Sequence, residues 1–448
     1  MPVQRADAVG PLSVAVLMEL VRTPLAGGQV KCWERFAAAA ASLDPSDLGV
    51  DLTLYVLGDR PRTEELSPAV RFVALRPVLS TALLTRRGGV DIADAAPYHP
   101  VLARLLPRHE VWHLTHTMAF ASTAVRLSRR GRRGRAGPGA SGPYAGRGAG
   151  PGPGMTASVH TDVPALTEAY IRQSVNARLA RVPGLRAFDP AARCAAILRS
   201  HRDRVLRACD HVLVATPSQV PEMAALVGAE HVSGLGRGMD LDRFRPDPGA
   251  RTRLAALGVP PGRTTVLFAG RVDASKNVLL LAEAVRRLRA RGADTHLVVA
   301  GTGPDTDRVA ACLGPGVTLL GMLPQERLAR VLAGCDLLAL PSRTETIGNI
   351  VGEAMACGLP VVLPHGTRTN HWLAAPGRDG LLVEHDTPEA WAAALGLLAG
   401  RPDLRAAMGR HALATARARH RTWGRVLCED LLPVWRRVAA RTAPVSGG

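Results

Sequence analysis

The chain is notable first for what it has little of. No uninterrupted apolar run reaches the ~18 residues of a membrane-spanning helix, and no basic-then-apolar leader opens the sequence. A transmembrane or secreted protein is therefore not expected, and a cytoplasmic one is. The seven cysteines (32, 194, 209, 312, 335, 357 and 428) are odd in number and never spaced CxxC. They read as free thiols in a reducing compartment, and no ligand spacing suggests a metal. The GxGxxG fingerprint is missing, which argues against a dinucleotide cofactor. Aromatic residues amount to 4%. Lysine is nearly absent: of 56 basic residues only Lys31 and Lys276 are lysine. In so arginine-rich a chain, a retained lysine either marks a place that takes a compact point charge in place of a planar fork or is there by chance.

What is present is a globular composition of 47% hydrophobic and 21% charged residues, with a net charge of +18. At 448 residues the chain exceeds one ordinary core, so two domains of about 200 residues are expected. A field of this sign attracts nucleic acid, anionic membrane and nucleotide phosphates alike.

Strand and helix patterns alternate along the chain. Apolar runs at 12–20, 51–57, 70–75, 110–114 and 210–215, and a stretch at 155–162 that ends in a polar tip, read as strands with helices between them. The same rhythm restarts at 264–269, 295–300, 317–320 and 336–340. Such βα alternation predicts parallel sheets covered on both faces. Ten glycines and four prolines between Gly131 and Gly154, with five arginines at 129–135, predict a disordered insert over 128–154. Beyond Pro388 the pattern is helical, closing on an amphipathic stretch with Trp423, Val426, Leu431, Trp435 and Val438.

The most informative stretch runs from Pro341 to Val362. A strand ends at Pro341, a polar loop carries Glu345, and a helix opens near Gly348, carries Glu353 and stops at Gly358. Two carboxylates so placed can hold different ends of one elongated ligand, with the helix N-terminus offering N–H groups to an anion. Glu345-x7-Glu353 followed by AMACGLPVV resembles the donor-site signature of retaining glycosyltransferases of family 4, which have the GT-B fold. The form ETIGN…EAMACG looks most like the branch of mannosyltransferases and sulfoquinovosyltransferases that act on lipid acceptors.

The resemblance implies two Rossmann-like doubly wound α/β domains facing a cleft. An acceptor-side domain would span 1–235 and a donor domain 236–420, with residues 421–448 returning to the first domain. It implies a nucleotide-sugar co-substrate, GDP- or UDP-linked, no other cofactor, no metal, and retention at the anomeric carbon. The donor pyrophosphate would face Gly27 and Gly28, which follow the first strand as in the family. His160, in SVHTD, matches the strand-end histidine that approaches the transferred sugar, whereas the register of His113 and His116 is open. The crossing 234–246 provides a hinge and Arg237. The loop from Gly270 matches a GR-xxx-K pattern whose cations are Arg271 and Lys276, and Gly321 and Met322 match the segment beside the nucleobase. Ile347, Gly348 and Asn349 complete the expected donor site, with Glu345 on the sugar and Glu353 on the ribose. The expected reaction is transfer of a hexosyl unit, mannose by preference, to a lipid or glycan hydroxyl. Peripheral contact with anionic membrane is expected and nucleic acid is not. The competing readings are a non-catalytic basic protein that binds membrane or nucleic acid, and a GT-B epimerase or phosphorylase.

Overall fold

The computed structural model describes residues 10–22, 28–80, 94–134, 152–160, 163–171, 189–345 and 347–442. The chain divides into two units: Met1–Gly236 together with Trp423–Gly448, and Arg237–Thr422. Each is a Rossmann-like α/β unit built on a parallel sheet.

The first unit holds β1 (Leu12–Val21), β2 (Val50–Leu57), β3 (Arg62–Ser67), β4 (Val70–Leu75), β5 (Val111–Leu114), β6 (Gly154–Val159), β7 (His211–Val214) and β8 (Val232–Gly234). Their order across the sheet is β3-β4-β2-β1-β5-β6-β7-β8. All neighbours pair in parallel except β3, which runs antiparallel to β4. The central strands are buried on both faces, which is why they read as continuous apolar runs. The chain winds one way from β1 to β2 and the other way to β5, so the switch in strand order falls between β1 and β5.

Helix Gly28–Ala41 covers one face through Val30, Trp33, Phe36, Ala37 and Ala40, an amphipathic spacing. The carboxyl-terminal segment joins this core, burying Trp423, Val426, Leu431, Trp435 and Val438 against β1, β2 and the helix. Gly154 makes that approach possible, because a Cβ there would lie 2.3 Å from Cγ1 of Val438.

Several local features differ from the sequence expectation. First, the short strands β8 and Gly380–Val383 are not anticipated, and neither is β3: its residues RTEELS are mostly exposed, so no core-facing alternation marks them. It is held in part by Arg22, whose guanidinium bridges Glu34 and Glu64 at 2.8 Å each and covers the Phe72 ring. Second, the helix after β5 runs Ala119–Gly134, into the predicted insert at 128–134, and β6 already begins at Gly154. Arginine is a good helix former, so the helix propagates past its apolar residues. The rest of that insert, 135–151, lies outside the described residues. Third, the final helix is interrupted: Trp423–Val426 is α-helical, Leu427–Leu431 is a π turn and Leu432–Thr442 is α-helical again. Pro433 follows the π turn. It has no N–H to donate and its ring crowds the preceding turn, which the wider turn accommodates.

The second unit holds β9 (Thr264–Ala269), β10 (Thr295–Ala300), β11 (Val317–Gly321), β12 (Leu337–Ala339), β13 (Val361–Pro364) and β14 (Gly380–Val383). The order is β11-β10-β9-β12-β13-β14, parallel throughout, with the switch between β9 and β12. Helices Val278–Ala290, Asn349–Ala356, Pro388–Gly400 and Pro402–Arg419 are among those that cover it.

Candidate functional site

Ligands in open α/β sheets bind beyond the carboxyl ends of the strands, at the switch in strand order. In the second unit the loops at that switch are 270–277, after β9, and 340–348, after β12. Although about 70 residues apart in sequence, they are tied together. The hydroxyls of Thr344 and Ser342 donate to the Ser275 carbonyl at 3.0 and 3.4 Å, and the Asn277 side-chain amide donates to the Pro341 carbonyl at 3.4 Å. Across this junction Lys276 Nζ lies 2.6 Å from Glu345 Oε1, with the two side chains only 13% and 20% exposed. A pair so shielded from water is coupled more strongly than a surface pair, and removing one partner strands the other.

The other expected donor-site residues of this unit lie on its strand ends and loops and on the helix Asn349–Ala356. Arg271 is exposed, with Asp273 at 3.3 Å. Gly270 follows β9 and Gly321 ends β11. They are linked through Gly301, whose N–H donates to the Gly321 carbonyl at 2.8 Å. A Cβ on Gly301 would stand 1.8 Å from the Gly270 carbonyl oxygen, so the bare backbone at the ends of β9, β10 and β11 tolerates no side chain there. Met322 is exposed just beyond. Ile347 is buried and contributes its carbonyl, which accepts from Trp372 Nε1 at 2.6 Å. Gly348 and Asn349 open the helix Asn349–Ala356, and Glu353 is buried within it at 6% exposure. The adjacent Cys357 thiol is pushed up to about 12, chiefly by burial and then by the Glu353 charge. Arg237 is half-buried at the start of this unit. Burial, with smaller contributions from the charges of Arg419 and Arg237, lowers the pKa of His371.

In the first unit Gly28 begins the helix Gly28–Ala41, while Gly27 lies outside the described residues. His160 sits directly after β6, buried, with Nε2 2.8 Å from Ser158 Oγ. Ser158 Oγ is also 2.9 Å from Nε2 of His113 on β5, and burial pushes His113 down to about 3. His116 lies 2.9 Å from the Thr115 hydroxyl and is pushed down to about 4 by burial. A small pocket here is lined by Gln29, Thr115, His116, Ser158, His160 and Arg202. Gln29 closes the switch between β1 and β5 by donating to the Thr115 carbonyl at 2.8 Å.

Several contributors carry no local sequence signal. Ser275, Ser342, Thr344 and Trp372 matter through contacts with distant loops, and Ser158 through two histidines on neighbouring strand ends. Glu19 is different, because a lone acid in the apolar β1 run is visible. It accepts from the N–H groups of Met118 (2.6 Å) and Ala121 (2.5 Å) at the start of helix Ala119–Gly134. Burial raises its pKa to about 8 against the opposing effect of those bonds. Among the described residues no cluster of His, Cys, Asp or Glu could hold a metal ion, and no helix is long and apolar enough to cross a membrane.

The family model for "Glycosyl transferases group 1" matches residues 263–401. The chain is 33% identical over 310 residues to a D-inositol 3-phosphate glycosyltransferase of Kineococcus radiotolerans, covering 64% of this chain and 69% of that one. It is 35% identical over 257 residues to a protein of the same name from Saccharomonospora viridis, covering 53% of this chain and 58% of the relative. Against a further relative from Catenulispora acidiphila it spans 53% of that protein, so some of these matches cover little more than half the relative's length. Among solved structures it resembles sucrose-phosphate synthase of Thermosynechococcus elongatus (TM-score 0.66, 18% identity, 96% and 99% of the two chains). It also resembles WaaG, a glycosyltransferase involved in lipopolysaccharide biosynthesis (0.57, 17%, 97% and 100%), and Anabaena HepE in complex with UDP (0.64, 15%, 95% and 100%). These likenesses establish the GT-B fold. With the donor-site signature, the paired sheets and these relatives together, the chain belongs to the group 1 glycosyltransferases.

Proposed function

We propose that the chain transfers a hexosyl unit from a nucleotide-linked sugar to an acceptor hydroxyl, with retention at the anomeric carbon and without a metal ion. The observation that carries this reading is the junction of the two switch-point loops, where Lys276 and Glu345 meet at 2.6 Å, with Arg271 in the same loop as Lys276 and the helix starting at Asn349 after the loop of Glu345. As the bond from the sugar to the diphosphate breaks, its electron pair passes to the phosphate oxygen and the sugar becomes cation-like. Arg271, Lys276 and the helix N–H groups would stabilise the oxygen, and Glu345 would hold the sugar hydroxyls. Lys276 would then be shared between Glu345 and the diphosphate. Glu353 would hold the ribose and His160 the sugar. The acceptor oxygen forms the new bond on the face the leaving group departs from, and its proton leaves with the phosphate oxygen.

For the substrates, the relatives' names favour a phosphorylated inositol as the acceptor class over the mannosyl transfer to a lipid suggested by the motif alone. The charge of +18 suits a phosphate-bearing acceptor or an anionic membrane surface. The UDP bound to HepE makes a UDP-linked donor the first to try, ahead of a GDP-linked one.

The test is a thermal-shift panel with UDP, GDP and ADP on the wild type and Glu353→Ala, repeated with an oligonucleotide. A nucleotide at about 100 times its dissociation constant stabilises by roughly 2.7 kcal/mol. One nucleotide should stand out and lose its effect in Glu353→Ala. A salt-sensitive response to the oligonucleotide alone would favour the basic-binding-protein reading instead.

A further inference from the structure

In the second unit the start of the helix Asn349–Ala356 is held by the segment that follows β13. That segment closes in one 3₁₀ turn, Arg368–Trp372. The Thr367 N–H donates to Asn370 Oδ1 at 3.1 Å, and the Thr367 hydroxyl and the Asn370 amide donate to the Pro364 carbonyl at 3.0 and 2.9 Å. The turn is thus fastened to the end of its strand. Two glycines four residues apart let it lie against the helix. A Cβ on Gly348 would stand 2.6 Å from Cγ2 of Thr369, and one on Gly352 would stand 2.2 Å from Cζ3 of Trp372. Trp372 is buried and packs against His371 and His420, with ring centroids 5.0 and 4.5 Å away. Its one polar atom, Nε1, donates to the Ile347 carbonyl at 2.6 Å.

That bond sets more than the place of one oxygen. The described residues include no cis peptide, so the N–H of the Ile347–Gly348 peptide points opposite to its carbonyl. With the carbonyl turned toward Trp372, the Gly348 N–H is turned away from it. Gly348 is left-handed, with φ 68° and ψ 53°, and the right-handed helix begins at Asn349. A left-handed residue followed by a right-handed one gathers successive N–H groups on one concave side, an arrangement suited to anions. The peptide plane held by Trp372 is the first of that set.

We infer that Trp372 is a positioning residue for the donor diphosphate: through the Ile347 carbonyl it sets the direction of the Gly348 N–H and holds the helix start in place before a ligand arrives. An N–H already aimed needs no reorganisation as charge develops on a phosphate oxygen. Buried as it is, Trp372 acts only through this turn. The inference rests on the reading of the helix start as the diphosphate site.

The experiment compares the full-length wild type with Trp372→Phe, which keeps a ring in the site and removes the donor. The Val351 N–H, bonded to the Gly348 carbonyl at 2.9 Å, reports on the turn. Without ligand, its hydrogen exchange should quicken about fivefold in the variant, while β9 and β10 keep their protection. Titration with UDP, GDP and ADP, each beside its nucleoside, then separates the diphosphate from the rest of the ligand. The nucleotide that binds the wild type should bind the variant about tenfold more weakly, with its nucleoside unchanged. A role in packing alone would weaken both together. In the wild type the Trp372 indole N–H should show a through-bond coupling to the Ile347 carbonyl carbon, a readout that stands even where the variant fails to fold. Unchanged exchange at Val351, an equal loss for nucleotide and nucleoside, or an indole without that coupling each overturns the inference. A wild type that binds none of the three nucleotides overturns the donor-site reading instead, and exchange at Val351 still decides whether Trp372 sets the turn.

Discussion

The two units share one topological plan and have opposite electrostatics at its working end. In both, the ligand end lies where the strand order reverses, between β1 and β5 in one and between β9 and β12 in the other. In the first unit that region carries histidines that burial keeps neutral, His113 and His116, with His160 alongside. In the second it carries formal charges: Arg271, Lys276, Glu345 and Glu353. A fold that holds its ligands at strand ends leaves the chemistry to whichever side chains occupy those positions. Neutral donors and acceptors suit polyhydroxylated groups, and paired cations suit a diphosphate.

This contrast can be broken from either side. The largest effect is expected from Trp435→Ala, which empties a fully buried site in the core shared by β1, the helix Gly28–Ala41 and the carboxyl-terminal segment. The loss should be about 3–5 kcal/mol. Denaturant unfolding followed region by region by hydrogen exchange should place it in the first unit, with the exchange-protected core of the second unit unchanged. Uniform destabilisation of both would show that the units do not unfold separately.

Next comes Lys276→Ala, which removes a cation from the donor side and leaves Glu345 without this partner. Sugar transfer should fall by about 10²–10³, while the melting temperature drops by only a few degrees. A variant with near-normal transfer would remove Lys276 from the proposed chemistry.

A smaller and graded effect is expected from pH. Burial depresses His109 to about 4 and His113 to about 3 from an ordinary value near 6.5. The folded state thus binds fewer protons than the unfolded one below pH 6.5. Stability that is intact above that value is lost as pH falls toward 4, by about 1.4 kcal/mol per pH unit for each of these two groups. Urea unfolding at pH 7 and pH 5 measures it, with His116 and His211, depressed to about 4, adding to the loss in the first unit and Glu19, raised to about 8, opposing it over the same range. In the second unit His296, His420 and His371 are lowered by burial with no raised carboxyl set against them among the described residues, so both units should weaken on acidification.

The sheet pattern was legible because parallel strands covered on both faces appear as apolar runs, as in THLVVA of β10, buried at every position. Strand β3 was not, since an exposed edge strand carries no such mark. Glu353 was legible as one member of a spaced motif, yet its burial inside the helix was not. For His160 the strand end was visible, whereas its neighbour Ser158 and the second histidine on that serine come from an alternating position on β6 and from β5. The extension of helix Ala119–Gly134 into a glycine-rich stretch shows the limit of composition, which does not place a boundary to within a turn.

By itself the sequence determined the two α/β units, the place of most of their buried strands along the chain, and the residue types at the donor-site loops. These are local properties, set by the period of apolar residues and by glycine, proline and charge at loop positions. Tertiary structure alone decided which of those residues meet. Lys276 faces Glu345 because β9 and β12, distant in sequence, became neighbours in the sheet. Trp435 reaches His113 because the last segment returned to the first core, 322 residues after that histidine. The pairing of two charges and the meeting of an indole with a buried histidine depend on distances of about 3 Å, which are fixed by the packing of whole elements and by no periodicity in the chain.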